Sequence, residues 1–334
     1  MKNYFKFNLT GKKLIPLWLL FILLYIIPYS VVQNQIQELS NIQQGNGIIS
    51  HFLQIGNVFS LKVLSLILFV LEYAILFYFY KMAIEAVEFK EKVFTFSGKF
   101  ESFMSLFISN LLFTIITIGI YSPWFLTNMY KFFATNSKHE GHKLDFKGKG
   151  SDLLVIILVS FIIPLMVFSA IVMIGAIIGG IMKILLQQEI PEMSGLVIGL
   201  ICFAIVSIIL ISINFTYHFY KWCVNLSFKG YEIKFETEFW PSVQQILIQV
   251  VLSIISFGIY APVASLRLYQ YFAERTVARK EGSVKKFGYN LASGDDFLTI
   301  WGQILLCIVT LGIYFPWAYC KICNYVLCKT YVEE

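Results

Sequence analysis

The 334-residue chain is too apolar for a soluble fold. Hydrophobic residues make up 58% and charged residues 14% of it, against about 45–50% and about 25% in ordinary soluble domains. Aromatic residues reach 17% and the formal net charge is +6. This composition excludes a disordered chain, a disulfide-rich secreted scaffold and a nucleic-acid-binding domain. It predicts an all-α polytopic membrane protein.

Seven apolar runs set the predicted membrane architecture. A helix needs about 20 apolar residues to cross the hydrocarbon core of a bilayer. The runs that reach or approach this length are residues 14–32, 59–80, 103–120, 153–181, 196–220, 246–260 and 297–314. The first run is too long for the apolar region of a signal peptide and lacks a small-residue cleavage site after it, so we expect it to be retained as an anchor.

A short motif, Gly-Ile-Tyr-x-Pro, occurs three times. Its glycines, tyrosines and prolines are Gly119, Tyr121 and Pro123, then Gly258, Tyr260 and Pro262, then Gly312, Tyr314 and Pro316. The next residue is Trp124, Val263 or Trp317. Flanking residues keep the same spacing in the first two copies, which predicts an internal duplication. Residues 1–139 and 140–282 are the predicted repeats, and residues 283–334 are a third copy of the motif element alone.

The distribution of positive charge separates two possible topologies. All seven runs cross the membrane in one of them. In the other the three motif runs re-enter as helical hairpins and four runs cross. With re-entrant hairpins, every one of the 26 Lys and Arg residues except Lys62 and Lys183 falls on the side of both termini, as the positive-inside rule requires. The sequence therefore predicts four full transmembrane helices, three re-entrant hairpins and cytoplasmic termini. The alternative is a Gly-x-x-x-Pro kink in a crossing helix.

The motif has the chemistry of a turn between two helices. Glycine tolerates the left-handed conformation in which helices often end. Proline disfavours helix in the residue before it and suits the first turn of the next helix. Non-helical backbone at membrane depth must be covered by protein or face water, so three such turns predict a shared, protected interior.

The three motifs, each followed by an aromatic and basic helix, resemble the YjgN family of bacterial inner-membrane proteins. The short Phe-rich segments 94–98 and 146–148 resemble that family too. The resemblance implies a multi-pass protein of the bacterial inner membrane, and it carries no reaction, substrate or catalytic residue. Val263 departs from the tryptophan of the other two motifs, so the second hairpin is expected to sit differently.

Two polar residues inside apolar runs are candidate ligands. Glu72 precedes Lys81 by nine residues, so it lies about 14 Å from the cytoplasmic edge at 1.5 Å per residue. A carboxylate near the midplane indicates proton or cation coupling. The alternative is a protonated Glu72 that hydrogen-bonds a neighbouring helix. Asn110 has the same two interpretations, a ligand role or an interhelical hydrogen bond.

Small residues four apart predict close helix packing. The pairs are Gly175 with Gly179 and Gly195 with Gly199, which would let the fourth and fifth runs approach closely. Cys320 and Cys323 have no histidine nearby, and no cofactor-binding, metal-binding or catalytic motif is present. The sequence therefore predicts no enzyme activity, no cofactor and no metal.

Two functions from different classes remain. Broken helices, repeats and a midplane carboxylate resemble the construction of transporters and channels for a small solute or ion. The alternative is a non-transporting scaffold, or a protein that interacts with lipid or with a partner. A polar cavity that reaches Glu72 would favour the first class.

Overall fold

A computed structural model describes residues 1–41, 48–186 and 193–333 of the chain. The chain forms two compact units. Unit 1 comprises Met1–Phe113, Phe132–Leu144 and Ala292–Glu333. Unit 2 comprises Thr114–Lys131 and Asp145–Leu291. The predicted repeats were defined by similarity between two parts of the sequence, whereas the units are defined by compactness of the fold. The repeat boundaries therefore stay a prediction.

Helices dominate the described residues. They are α1 (Gly11–Phe21), α2 (Ile27–Asn41), α3 (Ile48–Glu85), α4 (Phe100–Ile116), α5 (Ser122–Asn136), α6 (Gly150–Ile157), α7 (Ile163–Leu186), α8 (Met193–Cys223), α9 (Phe239–Ile255), α10 (Ala261–Glu274), α11 (Ser293–Val309) and α12 (Phe315–Lys329). A π-helical turn, Ile22–Ile26, joins α1 to α2, and a second, Leu158–Ile162, joins α6 to α7.

Eleven short strands show that the predicted all-α fold class is wrong. They are β1 (Lys2–Phe7), β2 (Val87–Phe89), β3 (Lys92–Val93), β4 (Thr95–Phe96), β5 (Ser137–His139), β6 (His142–Phe146), β7 (Leu226–Phe228), β8 (Tyr231–Phe235), β9 (Thr276–Lys280), β10 (Ser283–Tyr289) and β11 (Thr330–Glu333). These segments lie before, between and after the predicted apolar runs.

All strand pairs within each unit are antiparallel. In unit 1 the order is β3-β2-β1-β11, with Lys2 opposite Glu333 and Phe5 opposite Phe89, and β4-β5-β6 form a second set. In unit 2 the order is β7-β8-β9-β10. Tight turns with positive φ connect neighbouring strands at Glu140-Gly141 and Lys229-Gly230. The glycine in each turn suits the positive φ that a two-residue hairpin requires, but Glu-Gly and Lys-Gly are not among the dipeptides that indicate a hairpin, so the sequence analysis missed these strands.

The same junction leads from a strand into a helix five times. A buried aromatic ring ends each strand four residues before the helix begins: Phe7, Phe96, Phe146, Phe235 and Tyr289. A fully buried residue follows three positions into each helix: Leu14, Phe103, Leu153, Ser242 and Asp296. Each helix is therefore fixed at its first turn by its own strand, because both buried groups pack at the junction.

Three helical segments are long and apolar enough to cross a membrane: Gly11–Leu39, Ile55–Glu85 and Gly150–Ile178. The prediction of four full spans is therefore corrected to three among the described residues. The fourth predicted span, residues 196–220, falls within α8, and many of its side chains lie outside the described residues. Helices α4 and α9 are apolar but shorter, at 17 residues each, because a turn ends them.

Prolines explain the two π-helical turns. Pro28 and Pro164 are the second residues of α2 and α7, directly after the π-helical segments. Proline has no N–H to donate and its ring collides with the carbonyl four residues earlier. A wider turn relieves that collision, and such turns often mark functional positions in helices.

Candidate functional site

Three helix–turn–helix hairpins carry the Gly-Ile-Tyr-x-Pro motif. Hairpin 1 is α4 and α5, hairpin 2 is α9 and α10, and hairpin 3 is α11 and α12. The motif glycines have φ of 87° (Gly119), 83° (Gly258) and 84° (Gly312). The prolines occupy the second position of α5, α10 and α12, where the missing N–H has no partner to lose.

The same backbone bonds close all three turns. Each motif glycine donates its N–H to the carbonyl five residues earlier, at 2.7 Å. The motif tyrosine donates its backbone N–H, at 3.0–3.1 Å, to the hydroxyl of the residue two positions before the glycine, which is Thr117, Ser256 or Thr310. The sequence analysis missed these hydroxyls. They were detectable, because a Ser or Thr precedes every copy of the motif at that position.

The tip of each hairpin is a strained and exposed apolar residue. Ile118, Phe257 and Leu311 directly precede the motif glycines, with φ of 50–52°. Their side chains are 93%, 95% and 91% exposed. A left-handed conformation disfavours such side chains, most of all a β-branched one. The turns therefore hold large apolar groups away from the protein.

In hairpins 2 and 3 the motif tyrosine joins the two arms. Tyr260 donates its hydroxyl proton to the Gln249 amide oxygen at 3.3 Å, and Tyr314 donates to Gln303 at 3.2 Å. In hairpin 1, Asn128 Nδ2 lies 3.5 Å from the Tyr121 hydroxyl. Seven residues after the tyrosine, Arg267 lies over the Tyr260 ring and Lys321 donates to the Tyr314 hydroxyl at 2.9 Å.

The motif tryptophans pack onto the first residues of long helices. A Cβ added to Gly11 would lie 2.5 Å from the Trp317 ring, and one added to Gly150 would lie 2.6 Å from the Trp124 ring. Trp18 also donates its indole N–H to the Gly312 carbonyl at 3.1 Å. Val263 replaces the tryptophan in hairpin 2 and cannot make a contact of this size.

Hairpin 2 has a groove between its two arms, and hairpin 3 has another between its own two arms. The groove of hairpin 3 is about 470 Å³ and apolar, with Ile304, Leu311, Phe315 and Ile322 among its lining residues. The groove of hairpin 2 is about 480 Å³, and Gln249 and Ser253 line it together with small and apolar residues. Glu72 is not among the lining residues of either groove.

Glu72 lies beside the first π-helical turn. Tyr25, within that turn, hydrogen-bonds the Glu72 carboxylate. Tyr25 belongs to a ladder of stacked rings along the helix, in the order Trp18, Phe21, Tyr25 and Tyr29. The second π-helical turn has a polar contact of its own, since Asn214 Nδ2 donates to Ser160 Oγ at 2.8 Å. Each turn therefore joins the facing helix through a hydrogen bond.

The other predicted site residues are Asn110 and the glycines expected to pack helices. Asn110 is buried and donates to the Leu106 carbonyl at 2.6 Å, within its own helix. Gly175 has open space where a Cβ would be. The surroundings of Gly179, Gly195 and Gly199 lie outside the described residues, so helix packing through these glycines stays a prediction.

A buried ion pair that the sequence did not reveal lies at the base of hairpin 3. Asp296 is fully buried and accepts from Lys329 at 2.5 Å, Tyr325 at 2.8 Å and the Ala292 N–H at 3.0 Å. Burial lowers the pKa of Lys329, but hydrogen bonds to Asp296 and Tyr325 outweigh it and raise the pKa above its ordinary value. The described residues contain no group of three or more His, Cys, Asp or Glu side chains that could hold a metal ion.

Three long apolar helices, together with hairpins that expose apolar tips, are typical of an integral membrane protein. The chain belongs to a family of bacterial proteins of unknown function, DUF898, whose model matches residues 91–190 and again 154–292. This is the YjgN family that the three motifs resemble. No curated protein and no solved structure matches the chain.

Proposed function

We propose that this protein is a lipid-interacting protein of the bacterial inner membrane, whose hairpins insert their apolar tips into one leaflet. The exposed tip residues carry this proposal. Ile118, Phe257 and Leu311 are more than nine-tenths exposed although their backbone conformation is unfavourable. Exposed apolar groups of this size mark surfaces that meet lipid or a partner.

The charges on the second arms set the depth of insertion. Arg267 and Lys321 lie nine residues after the tip glycines, Gly258 and Gly312. Six helical steps lead from the first residue of each second arm, Ala261 or Phe315, to its cation, a rise of about 9 Å. The turn before the helix and the long side chain extend this towards half of the roughly 30 Å hydrocarbon core. With the tips near the midplane, both cations reach the level of the lipid headgroups. The strands and both termini then lie on the cytoplasmic side.

The internal duplication and the re-entrant topology belong to the same proposal. Hydrogen bonds with the same spacing close all three turns, and the family model matches two overlapping regions of the chain. Reporter fusions that end at Gly141 and Gly282, in exposed turns between strands, should both report a cytoplasmic location. A periplasmic signal from either fusion would contradict the re-entrant topology.

Depth-dependent fluorescence quenching tests tip insertion. Phe257→Trp places an indole at the tip of hairpin 2, and Val284→Trp places one at an exposed position of β10. In vesicles with lipids brominated at different chain positions, the added tip fluorescence should be quenched most by bromines deep in the chain. The Val284→Trp signal should be unaffected by all of them. Equal quenching of the two variants would overturn the proposal.

A second candidate function is the coupling of a proton or cation at Glu72. The Tyr25 hydrogen bond to Glu72 supports it, because it places a second exchangeable proton beside a carboxylate within a candidate span. This function requires a flux that depends on Glu72.

A further inference from the structure

The groove of hairpin 2 has a donor that its counterpart lacks. Gln249 is 4% exposed and lines the groove. Its amide oxygen accepts from Tyr260, but its amide nitrogen has no acceptor among the residues that the structure describes. An unsatisfied donor is costly in hydrocarbon. The occupant of this groove should therefore bring an acceptor.

The other walls of the groove are small or apolar. Gly258, Ala261 and Ala264 lie along one side, and Val250, Ile254 and Phe257 lie along the other. A narrow, flexible apolar chain fits between such walls. In hairpin 3, Gln303 is absent from the groove lining and larger side chains such as Tyr319 and Ile322 take part, so that groove offers no amide donor.

The position of Gln249 indicates which acceptor it meets. It precedes Gly258 by nine residues, and the six helical steps from Gln249 to Ile255 rise about 9 Å before the turn adds to that distance. If the tip lies near the midplane, Gln249 lies at the edge of the hydrocarbon core. The carbonyls at that depth are the esters that join acyl chains to glycerol. This step depends on the insertion of the hairpins under the proposed function.

We infer that hairpin 2 binds one diacyl glycerophospholipid. One acyl chain lies in the groove from Gln249 to the tip residue Phe257, and an ester carbonyl accepts a hydrogen bond from the Gln249 amide. Gly258, Ala261 and Ala264 admit the chain, because larger side chains there would fill the groove.

Ester and ether lipids test this site directly. A dialkyl ether phosphatidylethanolamine keeps the headgroup and the chains of the diacyl form but lacks both carbonyls. Native mass spectrometry of the delipidated full-length protein should show that the diacyl lipid is retained about three- to tenfold more strongly, as for one hydrogen bond. Gln249→Leu should remove this preference. Gln303→Leu, the matched change in hairpin 3, should preserve it.

A further variant separates lipid binding from folding. Tyr260→Phe breaks the hydrogen bond to Gln249 but leaves the amide donor, so the preference for the diacyl lipid should persist. Equal retention of both lipids by the native protein would overturn the site. If deep quenching of Phe257→Trp persisted in that case, the proposed insertion would stand and this site alone would fail. Displacement of lipid by a second copy of the chain, seen as a dimer that Gln249→Leu dissociates, would also overturn it.

Discussion

Trp317 lies so close to Gly11 that no other residue fits at position 11 without movement. A Cβ there would be 2.5 Å from the indole and 2.9 Å from the Trp317 backbone. Gly150 and Trp124 repeat this relationship in unit 2, at 2.6 Å and 3.0 Å. The second arm of a hairpin thus contacts the start of a long apolar helix without an intervening side chain.

Substitution of these glycines should therefore destabilise the protein. Gly11→Ala should lower the free energy of unfolding by about 1–3 kcal/mol, as overpacking does in well-packed cores. The double variant Gly11→Ala with Trp317→Leu should lose less than the sum of the single changes, because the smaller side chain makes room. Gly175→Ala is the matched control, since a Cβ there meets nothing within 4 Å. Thermal unfolding in detergent measures the stability of Gly11→Ala, Trp317→Leu, the double variant and Gly175→Ala.

The motif glycines should tolerate bulk but not β-branching. A Cβ at Gly119, Gly258 or Gly312 meets nothing within 4 Å, yet each φ is positive. A left-handed conformation costs ordinary residues about 1–2 kcal/mol, and asparagine adopts it more readily. Gly258→Val should therefore lower the melting temperature more than Gly258→Asn, and more than Tyr260→Phe. Equal melting of the valine and asparagine variants would show that the turn needs no positive φ.

The turns were predictable because their cause is local. Glycine, proline and tyrosine at fixed spacing indicated three turns, and Gly119, Gly258 and Gly312 have positive φ. Glu72 stood out because its apolar run contains no other acidic residue. In both cases the sequence window that carries the signal is short.

The pairing of the terminal strands, and the partners of Glu72 and Asp296, depend on distant parts of the chain. Residues 2–4 pair with residues 331–333, and no local pattern indicates that pairing. Likewise Tyr25 meets Glu72, and Asp296 meets Lys329, only after the helices have packed. The sequence indicated Glu72 as a candidate site residue, but it did not indicate that Tyr25 is its partner.

The ion pair between Asp296 and Lys329 should stabilise the base of hairpin 3 over a defined pH range. Lys329→Met leaves the fully buried Asp296 without its cation, and loss of one partner of a buried pair costs about 3–5 kcal/mol. Lys321→Met, at an exposed lysine of the same helix, should have a smaller effect on unfolding. The pKa of Lys329 is raised above its ordinary value of 10.5.

It follows that the stabilisation by Lys329 is complete below pH 10.5 and declines as the pH rises through the higher folded-state pKa. The difference in melting temperature between the native protein and Lys329→Met should be constant from neutral pH to about pH 10 and should shrink above it. A difference in melting temperature that already shrinks near pH 8 would contradict the prediction that Asp296 stabilises the protonated form of Lys329.

Glu72 and Tyr25 decide between the two candidate functions. If Glu72 couples ion movement, Glu72→Gln should abolish a proton-dependent flux in reconstituted vesicles while the protein stays folded, because glutamine keeps the shape and the hydrogen bond but cannot ionise. Tyr25→Phe should reduce the same flux and lower the unfolding free energy by about 1 kcal/mol, the value of one hydrogen bond.

If Glu72 only joins two helices, Glu72→Gln should behave as the native protein, and only Glu72→Leu should destabilise it. Asn214→Leu, which removes the contact at the second π-helical turn, is the matched control and should affect stability but not flux. Full flux in Glu72→Gln would remove the carboxylate from any transport mechanism. The hairpin tips and their grooves would then be the functional part of the molecule.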